Sequence, residues 1–93
     1  MRTIDRSTAF KRDYKREAKG QHRGSLDDAL KAVIVALATD QPLDARHRDH
    51  DLSGDWAGYR ECHVKPDLLL IYRKSDADSV RLARLGSHSE LFG

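Results

Sequence analysis

Apolar positions along the chain fall into two helical stripes followed by three strand-like runs. Between Thr8 and Lys19, Phe10, Tyr14 and Ala18 recur every four residues, while Lys11, Arg12, Lys15, Arg16 and Lys19 cover much of the remaining surface. That spacing predicts a helix with one buried face. Ser7 suits its N-cap and Gly20 its C′ position, where glycine accepts the left-handed conformation that closes a helix. A connector from Gln21 to Gly24 leads to the second stripe, Leu26, Leu30, Val33, Ile34 and Leu37, interleaved with alanines of high helix propensity. Ser25-Leu26-Asp27-Asp28 resembles a capping box with Asp in place of Glu. Pro42 biases Gln41 out of the helical region and ends the helix near Thr39.

After a long loop, 42–58, the period changes to two. Tyr59, Glu61 and His63 alternate with Arg60, Cys62 and Val64, so the two trios take opposite faces of a strand. Cys62 and Val64 suit the buried face; His63, with Glu61 two residues before it, is expected on the open one. Val64-Lys65-Pro66-Asp67 reads as a hairpin connection. Leu68 to Arg73 holds five apolar or aromatic residues in a row, the mark of a central strand covered on both sides. Ser79 to Leu85 alternates again, with Val80, Leu82 and Arg84 opposed to Arg81, Ala83 and Leu85. Gly86 breaks it, and Ser87 to Gly93 is expected to coil into one helical turn. With a brief first strand at Thr3 and Ile4, the order is β-α-α-β-β-β. The fold class is therefore α+β: a twisted, mainly antiparallel four-stranded sheet with a helical hairpin packed on one face.

A length of 93 residues suits a single domain, 1–93. The net charge is only +2, yet Arg2 to Arg23 holds eight basic residues against three acidic ones, a local excess of five. Such a stripe favours phosphate backbones or an acidic partner; a solvated helix face is the alternative. Cys62 is the only cysteine, which excludes an internal disulfide and fits a reducing cytoplasm. No apolar run of signal-peptide length opens the chain. The longest near-apolar run, Ala32 to Ala38, falls short of the roughly 20 residues a membrane span needs. A soluble cytoplasmic protein is expected.

Three of the five histidines lie between His47 and Tyr72. His50 on the entering loop, His63 on its strand, Asp67 past the hairpin and His88 after the last strand are expected to converge. Histidine titrates near neutrality, so it serves as acid or base at physiological pH. RNA cleavage by its own 2′-OH asks for a base, an acid and cations that stabilise charge on phosphorus. Arg48 and Arg60 are candidates for the phosphate contacts, although Arg60 has Asp55 or Glu61 as alternative partners. His22 and His47 read as surface or internally satisfied residues, and Trp56 as core or a structural plug, with stacking on a base as its alternative. A zinc site from His50, His63, Asp67 and His88 is chemically conceivable. No close-spaced ligand pair such as CxxC or HxxxH occurs, so neither metal nor other cofactor is expected.

The run Asp49 to Tyr72, with the pattern DHxL-G-W-GYR-xHV-xPD-LLIY, resembles the YafQ branch of the RelE/ParE toxin superfamily. The ending Arg84-Leu85-Gly86-Ser87-His88-Ser89-Glu90-Leu91-Phe92 is similar to the same branch's R-x-G-[ST]-H-x-x-LF. The resemblance implies a RelE-like microbial RNase fold and the toxin of a type II toxin–antitoxin pair. It further implies an mRNA interferase that cuts messenger RNA in the ribosomal A site without a metal. On that likeness His88 is the general acid, and His50 or His63 the base. Asp67 supports one of them, and Phe92 positions the nucleotide or the tail. The implied partners are a DinJ- or RelB-like antitoxin, commonly acidic in its toxin-binding tail, the ribosome and mRNA. Operator DNA is engaged only through the antitoxin, and no membrane is involved. One departure stands out: Leu68 occupies a place where the family often has Trp, with an expected effect on base stacking and codon preference. The competing readings are a non-catalytic antitoxin-binding module and a ParE-like toxin directed at gyrase; the histidine set argues against the second.

Overall fold

Residues 1–20 and 24–93 are described by a computed structural model of the chain; most of the Gln21 to Gly24 connector, with His22, lies outside the described residues. The elements are β1 (Thr3–Arg6), α1 (Thr8–Ala18), α2 (Leu26–Ala38), β2 (His50–Asp51), β3 (Arg60–Lys65), β4 (Leu68–Asp76), β5 (Ser79–Gly86) and α3 (His88–Phe92). Two single-turn 3₁₀ segments, Ala45–His47 and Gly54–Trp56, shape the long loop. The strands form one sheet in the order β1-β5-β4-β3-β2, antiparallel except for the parallel pair β1 and β5. The architecture is the predicted α+β one with a fifth strand added. That strand, β2, is only two residues long and polar, so no alternation announces it.

The core lies between the helices and one sheet face. Phe10, Leu26, Leu30, Val33 and Leu37 meet Cys62, Val64, Leu68, Leu70, Tyr72, Val80, Leu82 and Leu85. Strict alternation would separate Leu85 from Val80 and Leu82. The register of β5 against β4 slips between Ile71↔Arg84 and Tyr72↔Leu82, leaving Ala83 unpaired as a bulge. A bulge reverses the facing of every residue beyond it, and so Leu85 joins the core while Arg84 turns to the other side.

Helix α1 closes the far half of β5. Strand β1 pairs with β5 only through Leu82. Beyond it, the Ser7 amide donates to the Leu82 carbonyl at 3.0 Å, and the Ser7 hydroxyl to the Ala83 carbonyl at 2.7 Å. Asp13 then accepts from the Leu85 amide (3.0 Å), and Arg16 donates to the Leu85 carbonyl (3.0 Å). Two charged side chains thus substitute for a neighbouring strand, which explains why Asp13 and Glu17, rather than Tyr14 and Ala18, are buried beside Phe10. The capping box expected at Ser25 does not form: its hydroxyl makes no cap bond and instead accepts from the Lys65 ammonium. Asp28 is one methylene shorter than the glutamate this motif uses.

Candidate active site

The sheet face away from the core carries His50, Glu61 and His63. Cross-strand partners share a face. The register therefore aligns His50, Glu61, Ile71 and Arg84 in one row across β2 to β5, and His63, Leu69 and Gly86 in the next. Gly86 leads through Ser87 directly into α3. This face is more closed than alternation suggests: Glu61, Leu69, Ile71 and Ala83 are all buried.

Two imidazoles flank one carboxylate. His50 Nδ1 lies 2.7 Å from the Arg48 carbonyl, and His63 Nδ1 3.2 Å from the Pro66 carbonyl. A carbonyl only accepts, so each Nδ1 carries a proton and donates it, which leaves Nε2 as the free position of the neutral ring. Both Nε2 atoms turn to Glu61 Oε1, at 4.0 Å for His50 and 3.7 Å for His63. Glu61 is only 5% exposed. His47 donates from Nδ1 to the His63 carbonyl at 2.6 Å and so braces the strand at that point.

The loop that delivers His50 is held by charge. Arg48 adopts a left-handed backbone, φ 48°, uncommon for a residue with a Cβ; the kink turns its carbonyl toward His50. Arg60 lies on the opposite side of β3 from Glu61. Its guanidinium is engaged by Asp49 at 2.9 Å and Asp51 at 2.5 Å, and the Tyr72 hydroxyl also donates to Asp49 at 2.5 Å. The Asp49 contact raises the pKa of Arg60, whereas burial first and then Asp49 raise that of Tyr72. Arg60 thus ties β3 to the loop that carries His50, through Asp49 and Asp51 rather than the Asp55 or Glu61 expected as its partners. Burial pushes the Cys62 thiol up to about 12, so it is an inert core residue.

Helix α3 follows directly on β5. Ser87 caps it, accepting from the Glu90 amide at 3.2 Å, while the Glu90 carboxylate accepts from the Ser87 amide at 2.8 Å. That amide is the main reason Glu90 holds its proton less tightly than an ordinary glutamate. His88 and Phe92, one turn apart, stack with ring centroids 5.2 Å apart and an interplanar angle of 46°. Phe92 is 38% exposed, open enough to meet a ligand.

Of the residues singled out in the sequence, His50 and His63 come together through Glu61. Asp67 lies exposed in the turn after His63's strand, and His88 and Phe92 sit on α3 just past the row that holds His63. Arg48 is exposed beside His50. Glu61 itself was not among the expected site residues, although its shared face with His63 was plain from period two. Leu68 is fully buried in the core beneath the helices; it faces away from the site and offers no stacking surface. Elsewhere, α1 and α2 bound a groove of about 550 Å³, floored by Phe10, Leu30 and Ile34 and rimmed by Lys11, Lys15 and Lys31. No helix among the described residues is long and apolar enough to cross a membrane.

Comparison with known proteins identifies the family. The family model described as a bacterial toxin of a type II toxin–antitoxin system, YafQ, matches residues 2–93. The mRNA interferase toxin YafQ of Escherichia coli K12 is 38% identical over 92 residues, covering 97% of this chain and 99% of that one. Among solved structures, a copper-bound mutant toxin from Helicobacter pylori superposes with a TM-score of 0.88 at 41% identity, covering 99% of this chain and 100% of that one. The toxin in an E. coli DinJ–YafQ complex does so with a TM-score of 0.83 at 39% identity, with both chains fully covered. The family match along nearly the whole sequence and the identity to a relative covered almost end to end place this chain in the YafQ family of type II toxin–antitoxin toxins.

Proposed function

We infer that the chain is an mRNA interferase: a ribosome-dependent endoribonuclease that cleaves messenger RNA in the A site and is neutralised by a DinJ-like antitoxin. The observation that carries this reading is the placement of His50 and His63 on either side of buried Glu61, at 4.0 and 3.7 Å. In this mechanism one of the two imidazoles takes the 2′-OH proton through Nε2, and Glu61 stabilises the imidazolium that results. The 2′-oxygen attacks phosphorus, and the P–O5′ bond breaks. His88 supplies the proton to the leaving 5′-oxygen, which ends the reaction with a 2′,3′-cyclic phosphate. Phe92 holds a base by stacking, Arg48 contacts phosphate, and Asp67 supports the histidines electrostatically. The acid, the base and the charge stabilisation in this reading all come from side chains. The protein works in the cytoplasm, where ribosomes are, and the basic groove between α1 and α2 receives an acidic segment of the antitoxin.

Expression of the wild type and of His88→Ala tests the reading. Wild type should halt growth and leave mRNA truncated within translated codons, with cyclic phosphate ends, in the presence of chelator as in its absence. His88→Ala should do neither. Full toxicity of His88→Ala would remove it as the acid, and activity abolished by chelator and restored by zinc would replace this mechanism with a metal-assisted one.

A further inference from the structure

The helix that carries His88 has little apolar anchorage. It is five residues long and none of them is buried. What holds it is charge: Arg16 Nε on α1 lies 3.1 Å from Glu90 Oε2 and 2.9 Å from Glu17 Oε2. The same guanidinium donates to the Leu85 carbonyl at 3.0 Å and to Asp13 at 3.2 Å, so Arg16 grips the end of β5 and α3 together. Packing at this junction is close. A Cβ at Gly86 would stand 2.8 Å from Arg16 Nη2, 3.1 Å from Glu90 Oε1 and 3.3 Å from Leu91 Cδ2. Glu90 in turn closes the capping box on Ser87, the residue immediately before His88. An isolated surface ion pair contributes little to stability. Here the guanidinium is fixed at four points, and its constraint acts on a short element whose displacement would carry a reacting group with it.

We propose that Arg16 is a positioning residue, clamping α3 through Glu90 and thereby setting the placement of His88 and Phe92 at the reaction site. The proposal rests on the assignment of His88 as the acid. Loss of the clamp lets α3 swing while the sheet, its core and the His50–Glu61–His63 group stay in place, so substrate still binds but the acid is misplaced.

The test is cleavage by the full chain on mRNA-programmed ribosomes, comparing Arg16→Ala, Arg16→Lys, Glu90→Gln and the Arg16→Ala/Glu90→Gln double variant, with His88→Ala as control. Glu90→Gln preserves the shape of the capping box and removes the charge. Misplacement of an acid predicts that kcat falls about 10-fold or more in Arg16→Ala and in Glu90→Gln while KM changes less than about two-fold. The double variant should be no worse than the poorer single one, because both remove the same contact. Arg16→Lys should recover most of the loss, and the His88 ring signals in NMR spectra should move in the impaired variants. Wild-type kcat in both single variants, alongside an inactive His88→Ala, overturns the clamp and leaves the acid assignment intact. Losses that fall on kcat and KM alike in step with the unfolded fraction, or that add in the double variant, also overturn it. An active His88→Ala defeats the acid assignment itself.

Discussion

Asp13, on the first helix, accepts from the Arg84 guanidinium at 2.6 Å and from the neighbouring Leu85 amide at 3.0 Å, while being fully buried. One carboxylate thus compensates a cation and satisfies the unpaired edge of a strand more than 70 residues away. Removing it would leave the buried Leu85 amide without its acceptor and the half-buried Arg84 without its partner. Asp13→Ala should lower stability by about 3–5 kcal/mol, the usual cost of breaking a buried pair from one side. Urea unfolding followed by circular dichroism measures this. An effect within about 0.5 kcal/mol, the range of an ordinary surface substitution, would show that the edge is closed by other means.

Glu61 provides the sharpest test of the chemistry. Glu61→Gln keeps the side chain's shape and removes the charge that both imidazoles face. Its kcat should fall about 10²-fold, the lower range for loss of acid–base assistance, with little change in thermal stability. A single-turnover cleavage assay decides the matter, and retention of full rate would confine Glu61 to a structural part.

The terminal helix should respond to acid. The folded-state pKa of Glu90 is depressed below its ordinary 4.5, chiefly by the Ser87 amide. The stabilisation it brings is therefore complete above the unfolded value and is lost as pH falls through the lower, folded one. Phe92 ring signals in NMR spectra should keep their dispersion from neutrality down into the carboxylate range and collapse below it. In Glu90→Gln that acid-side transition should be missing.

Leu68 invites a restoration experiment with a clear expectation. Because its side chain is fully buried beneath the helices, Leu68→Trp should overpack the core and cost about 1–3 kcal/mol. Codon preference, read by mapping cleavage sites in cellular mRNA, should not change. A changed cleavage pattern at unaltered stability would place the tryptophan on the active face instead.

Much of this architecture was legible because it rests on period. The stripe Leu26 to Leu37 and the apolar run Leu68 to Tyr72 declare their own elements, and the histidines on strand and loop point to one face. What the sequence concealed depends on contacts made across long separations. Asp13 and Glu17 look like solvated charges on a basic helix, and only the bare edge of β5 explains their burial. The bulge at Ala83 breaks alternation without a glycine or proline to announce it, and the Ser7 hydroxyl meets its carbonyl there. Spacing does not reveal that Asp49 and Asp51 engage Arg60. Glu61 was visible on the right face, but its value arises from burial between two rings, which spacing alone does not convey.

The parallel pairing of β1 with β5 joins residues 76 positions apart, Thr3 with Ser79. Closing so large a loop is entropically unfavourable until other contacts compensate, and pairings of this kind slow folding. The first strand made must wait for the last one before it has a neighbour, and α1 must wait likewise for the edge it covers. During synthesis the order of assembly is therefore the reverse of the order of emergence on this side of the sheet. A nascent chain that has already exposed His50 and His63 still lacks the framework that fixes them, so the half-made protein carries its histidines without a site.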